Sequence, residues 1–206
     1  RLLSPEDRLR IETAIAAAER ETEGELAVVV VQACDAYAFV PMRLGVLLAA
    51  LVLLAMVAAG GEVPAMALLG GQALALGTGL LLGRLPAVKR HLVSEAVQDA
   101  RVGERARRAF AEHGLQRTRR RTGILLFVTL LEHRVVVLAD EGIHRALGPG
   151  ERWEDVVALI LDGIRSGRAA DGLLAAIARC AAMLAKHLPP APVAEDEIRN
   201  LVVLED

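Results

Sequence analysis

Four arginines in five positions, Arg117, Arg119, Arg120 and Arg121, stand directly before Thr122 and Gly123. A second cluster, Asp140, Glu141 and Gly142, follows the next two apolar runs. A guanidinium offers a planar fork of donors that fits a carboxylate or a phosphate, so the arginines suit an ion pair or an anion. Asp140 and, secondarily, Asp35 are hard oxygen donors of the kind that hold Ca2+ or Mg2+. Arg121, Thr122, Asp140, Glu141 and Gly142 are therefore the candidate site, and Asp35 is the secondary candidate. Three readings stay open: a structural or solvated edge, an edge that docks a partner or an anion, and catalysis. Other chemistry has little support. The five histidines are scattered without ligand spacing, and no GxSxG, Walker or GxGxxG motif occurs. Formal net charge of -2 and pI near 6.3 speak against a nucleic-acid partner.

The elements that must position these residues begin with "SPEDRLRIETAIAAAERETEGE". Ser4 is the expected N-cap, Pro5 the first helical residue and Asp7 the capping-box acid. "ELAVVVVQA" follows, a β-branched run that suits a strand covered on both faces. Later, "GILLFVTLL" and "RVVVLA" read as two strands joined by a turn at Glu132 and His133. A helix is expected from about His91 to Gly114, and two more over "ERWEDVVALILDGIRSG" and "AADGLLAAIARCAAMLAKHL". One helix and one strand cannot bury their own faces, so the first strand is expected to join the later two in one sheet. That gives an α/β fold: a small mixed sheet with helices on both faces. Residues 1–36 and 91–190 then form one discontinuous domain, and 191–206 a polar tail.

Between the two parts lies a block with almost no charge. Overall the chain is 54% hydrophobic with mean hydropathy +0.40, and the excess is concentrated from Tyr37 to Leu85. "LGVLLAALVLLAMVAA" and "VPAMALLGGQALALGTGLLL" are each apolar all round. The first reaches spanning length if its helix extends back past Arg43 to Ala38. Residues 38–85 are thus expected to form a two-helix transmembrane hairpin, with "GGQALALGTG" allowing close helix contact. The competing reading is a buried helical hairpin within a soluble core. Arg43, Arg84, Lys89 and Arg90 flank the block, whereas the connector carries only Glu62. The positive-inside rule then puts both flanks in the cytoplasm of a bacterial inner-membrane protein, with the lipid bilayer and a membrane protein as partners. Two distant cysteines, Cys34 and Cys180, read as buried free thiols that fit a reducing compartment. The opening segment is polar and amphipathic, with no secretory signal pattern.

Taken together, "SPEDRLRIETAIAAAERETEGELAVVVVQACDAY", "RRAFAEHGLQRTRRRTGILLFVTLLEHRVVVLADEGIH", "ERWEDVV", "GRAADGLLAAI" and "EDEIRN" resemble the TPM-domain family, and most closely a bacterial membrane-anchored branch of it. The TG-strand-turn-strand-ADEGI block carries most of the likeness. The resemblance implies a mixed sheet sandwiched by helices. It also implies a weak acid-phosphatase activity, as suggested for plant members, and divalent-cation binding, as suggested for some others. One departure bears on the site. Many members have an Asp- or Asn-rich turn before the glycine of the second strand, where this chain has Arg121-Thr122-Gly123.

Topology separates the candidates. The first two strands are joined through the hairpin and a helix, a crossover that favours parallel pairing. The end of the first strand, leading to Asp35, then lies with the Glu132 turn at the edge facing the membrane. The arginines and Asp140 fall at the far edge, where an Arg121–Asp140 pair is expected. The expected function is an interaction or accessory module for a membrane-associated complex. The alternative is a weak divalent-cation-dependent phosphatase.

Overall fold

The computed structural model describes residues 3–61, 63–147, 151–190 and 201–205. They form two compact units, one made of 1–34 with 100–206 and one of 35–99.

The sheet unit opens with α1 (Pro5–Glu21), whose capping box is complete: Asp7 N donates to Ser4 Oγ, and Ser4 N donates to Asp7 Oδ2. The two orphan donors at the helix start are thereby satisfied reciprocally. Next comes β1 (Glu25–Val31), followed after the insertion by β2 (Gly123–Thr129) and β3 (Arg134–Ala139). β1 pairs in parallel with β2, and β2 in antiparallel with β3. All seven residues of β1 and of β2 are buried. Their side chains alternate between two cores. Leu26, Val28 and Val30 join a core with α1, α7 (Trp153–Arg165) and α8 (Ala169–His187). Ala27, Val29 and Val31 join a second core with Val102, Ala106 and Ala109 of α5 (Glu95–Glu112) and with Leu115 of a 3-10 turn. A strand covered on both faces has no polar side to show, and so its sequence runs apolar without alternation.

Several expectations require correction. The single helix from about His91 to Gly114 is two, α4 (Pro86–Leu92) and α5, broken at Val93 and Ser94. Val97 N and Gln98 N both turn back to Ser94 O, the start of a fresh helix. A short helix, α6 (Glu141–Ala146), follows Asp140, whose carboxylate caps it. Within the expected polar tail, Leu201–Glu205 forms a fourth strand, β4, parallel to β1, and the sheet order is β3-β2-β1-β4. An open edge beside β1 supplies the backbone partners, and Val202 is fully buried there. Residues 191–200 of that tail, with "EDEIR" and Asn200 in them, lie outside the described residues. Neither Cys34 nor Cys180 is in a disulfide, and Cys34 is only half-buried. Burial pushes the Cys180 thiol up to about 12, with the charge of Arg179 acting weakly the other way.

The second unit is a helical hairpin inserted between β1 and α5. α2 (Phe39–Ala58) begins before Arg43, and α3 (Ala65–Leu82) runs back along it. Their seam is made by glycine: a Cβ on Gly79 would sit 2.4 Å from Gly45 Cα, and one on Gly83 2.4 Å from Pro41 Cα. Backbones this close admit no larger residue. Both helices are long and apolar enough to cross a membrane.

Candidate functional site

The candidate residues meet at one end of the sheet, around the turn that opens β2. Thr118 builds that turn, because its Oγ1 accepts from Thr122 N at 2.9 Å while its carbonyl accepts from Arg121 N at 3.1 Å. Arg121 stands at φ +58°, a left-handed backbone that a side chain with a Cβ adopts at a cost. Thr122, 3% exposed, gives its carbonyl to Glu25 N and so ties the turn to β1. On the other side Asp140 N donates to Gly123 O. Gly142 is needed for contact: a Cβ there would lie 2.1 Å from Arg120 O, while its own N donates to Arg121 O at 2.9 Å. A backbone-to-backbone approach of α6 and the arginine turn is what this glycine permits.

Arg121 Nη1 lies 3.7 Å from Asp140 Oδ1; the arginine side chain is 59% exposed and the aspartate 11%. Asp140 Oδ1 also accepts from Glu141 N at 2.7 Å as the cap of α6. Asp140 Oδ2 is buried without a hydrogen-bond partner among the described residues. Arg120 pairs with Glu23 across the same end. Glu141 accepts from Arg145 at 2.7 Å, and that bond, then the arginine's charge, holds its carboxyl below the usual glutamate range. Asp140, Glu23 and Glu141 each face an arginine here.

This donor set does not fit a divalent cation. Ca2+ or Mg2+ needs about six or more oxygens, whereas the turn offers one orphaned carboxylate oxygen amid guanidinium groups. Among the described residues no group of three or more His, Cys, Asp or Glu is placed to hold a metal. Asp35 belongs to the hairpin unit, where its Oδ1 accepts from Tyr37 N at 2.8 Å in a local turn.

The opposite end of the sheet holds a residue that sequence reasoning placed only in a turn. Glu132, 2% exposed, accepts from Cys34 N at 3.0 Å and from Thr129 Oγ1. It clamps the β2–β3 turn onto the stretch where the chain leaves β1. An acid three residues after a strand-ending threonine was the available signal.

In the hairpin unit, the flanking cations gather at the end where α2 starts and α3 stops. The Arg43 guanidinium carbon lies 4.8 Å above the Phe39 ring centroid, and Phe39 stacks edge-on against Tyr37 at 6.3 Å. Lys89 Nζ donates to Ala36 O at 2.7 Å, and Gln98 Nε2 closes α4 through Arg90 O and Val93 O.

No curated protein matches the chain. The NMR structure of BA42 protein from the psychrophilic bacterium Bizionia argentinensis resembles it with a TM-score of 0.60, covering 98% of this chain and 94% of that one. At 18% identity, that likeness is one of fold. The TPM domain matches residues 90–183, a stretch that contains α5, the arginine turn, the β2–β3 hairpin, α6, α7 and most of α8. That match places a TPM domain at residues 90–183.

Proposed function

We propose that the protein is anchored in the bacterial inner membrane by the α2–α3 hairpin and presents its TPM domain, on the cytoplasmic side, as an interaction or accessory module for a membrane-associated complex. The observation that carries this reading is the outer surface of the hairpin. Leu54 is 66% exposed, Val57 70% and Leu74 73%, on helices that bury only Val40, Gly45, Ala75 and Gly79. An apolar surface that wraps both helices needs a hydrocarbon solvent. α2, at 20 residues, is about 30 Å long and matches the bilayer core. Cations flank the hairpin and Glu62 occupies its connector, which supports a cytoplasmic sheet unit.

An accessory role is supported by how the candidate acids are used. Asp140 caps α6 and faces Arg121, Glu23 faces Arg120, and Glu132 clamps a turn. The competing reading, a weak Ca2+- or Mg2+-dependent phosphatase, has only the orphaned Asp140 Oδ2 in its favour. Two experiments test the proposal. The full chain should stay with membranes through high-salt and alkaline washes, and an impermeant thiol reagent should label a cysteine placed at Gly61 from outside the cell. Recovery in the soluble fraction would end the anchoring reading. A rise in melting temperature with Ca2+ or Mg2+, abolished by Asp140→Asn, would replace the accessory role with the metal-dependent one.

A further inference from the structure

The sheet ends in a strand with an open edge. β1 and β2 are buried along their whole lengths, whereas all six residues of β3 are half-buried. Both faces of β3 are nonetheless packed. Val135, Val137 and Ala139 lie against the core that holds α7, and Val136 and Leu138 against the core that holds α5. Among the described residues no strand lies beyond β3 in the order β3-β2-β1-β4. The pairing with β2 fixes which backbone groups reach that edge. Asp140 N donates to Gly123 O, and hydrogen-bonded pairs alternate along an antiparallel ladder, so Leu138, Val136 and Arg134 turn their N–H and C=O groups to β2. Val135, Val137 and Ala139 turn theirs outward, and among the described residues nothing bonds to them there. The strand reads RVVVLA in unbroken register, with no lysine, proline or bulge of the kind that guards a free edge.

This edge is complementary to itself. Antiparallel pairing of two copies about Val137 sets Val137 opposite Val137, Val135 opposite Ala139 and Val136 opposite Leu138, apolar on apolar at every position. The same register sets Arg134, which opens the strand, opposite Asp140, which follows it, at both ends of the contact. Parallel pairing would set like charges together, and a slip by two residues would separate the unlike ones. We infer that β3 is the interface of a homodimer, in which two copies join edge to edge about a two-fold axis at Val137 and form one continuous sheet. The outward residues of the two copies then exchange about six backbone hydrogen bonds. The partner is a second copy of this chain, and the inference goes beyond the anchoring reading without depending on it.

Light scattering from the full chain in mild detergent tests this, and should give two chains per particle. Val137→Pro removes one outward N–H from each copy and leaves the bonds from β3 to β2 in place, because that N–H does not point to β2. The variant should give one chain per particle at the same protein concentration, with the circular dichroism of the parent. Cross-linking reads the register and does not require the proline variant to fold. With Cys34→Ala and Cys180→Ala removing the native thiols, Val136→Cys chains are mixed with Leu138→Cys chains and mildly oxidised. Disulfides should form between unlike chains well above those between like chains, since only the unlike positions stand opposite each other. A parent chain that is single at every concentration would overturn the dimer. A dimer that persists in a folded Val137→Pro chain, or oxidation with no preference for unlike chains, would overturn β3 as its interface.

Discussion

α8 and α2 have nearly equal lengths and are both rich in alanine and leucine, yet their leucines meet opposite surroundings. On α8, Leu173 is 1% exposed and Leu184 0%, and nine residues of the helix are buried. On α2, Leu51 is 62% exposed and only Val40 and Gly45 are buried. The polar residues explain the difference. α8 carries Asp171, Arg179 and Lys186 on the side away from the sheet, so its apolar stripe has one direction in which to be buried. α2 carries a single charge, Arg43 near its start, so burial against one neighbour leaves most of its surface uncovered. The same residue type therefore reports two surroundings, a protein core in one region and an uncovered apolar surface in the other.

The sharpest way to break that comparison is one substitution in each region. Phe127 is fully buried in β2, and Phe127→Ala should cost about 3–5 kcal/mol of domain stability, read by denaturant unfolding in detergent. Leu54→Arg on α2 should leave domain stability nearly unchanged, yet should oppose insertion by about 2.5–3.5 kcal/mol, read as the inserted fraction in a membrane-integration assay. If Leu54→Arg inserted as well as the parent, α2 would face water, and the contrast would collapse.

Smaller effects test how each region is stitched. Gly142→Ala puts a Cβ 2.1 Å from Arg120 O and should cost about 1–3 kcal/mol as the arginine turn shifts, measured by thermal melting. pH probes the pairing at the C-terminal end of α8. Glu151 accepts from Lys186 at 3.0 Å, and that bond, with the charges of Lys186, Arg179 and His187, holds its carboxyl below the usual glutamate range. A carboxyl lowered in the folded state contributes stability above its unfolded pKa and loses it as pH falls through the folded value. Melting temperature should therefore fall below about pH 4.5, and Glu151→Gln should flatten that part of the profile. An unchanged acid limb in the variant would remove Glu151 from the linkage.

The same contrast governs what the sequence disclosed. β1, β2 and β3 were legible because runs such as "AVVVV" and "ILLFV" can be buried on two faces only within a helix-layered sheet, and the crossover dictated parallel pairing of the first two. β4 was not legible. "LVVLE" is short and follows an acidic stretch, and its strand state comes from the open edge of β1, a contact far away in the chain. α6 escaped because six residues show no period, although Asp140 before Glu141 was a capping signal. At the site, the proximity of Arg121 and Asp140 followed from strand topology. The left-handed backbone at Arg121 did not, since it arises from Thr118 closing the turn on itself.

That backbone makes the Arg121–Asp140 pair the finest test. Two effects of similar size oppose each other there. The pair is largely exposed on the arginine side, so its attraction is worth about 0–1 kcal/mol. An arginine at φ +58° costs about 1–2 kcal/mol relative to a relaxed backbone, and asparagine tolerates that conformation better. Arg121→Asn should thus be neutral or stabilising by up to about 1 kcal/mol, although it deletes an ion pair. Asp140→Asn removes the charge and keeps a capping oxygen for Glu141 N, so it isolates the electrostatic part, whereas Asp140→Ala also loses the cap and should cost about 0.5–2 kcal/mol. The double variant Arg121→Asn/Asp140→Asn closes the cycle, and its coupling should lie between about 0 and 1 kcal/mol. A coupling well above that range would mean that the guanidinium is held against the buried Asp140 oxygens more tightly than its exposure implies. The arginine turn would then be a built part of the domain in the same sense as the buried leucines of α8.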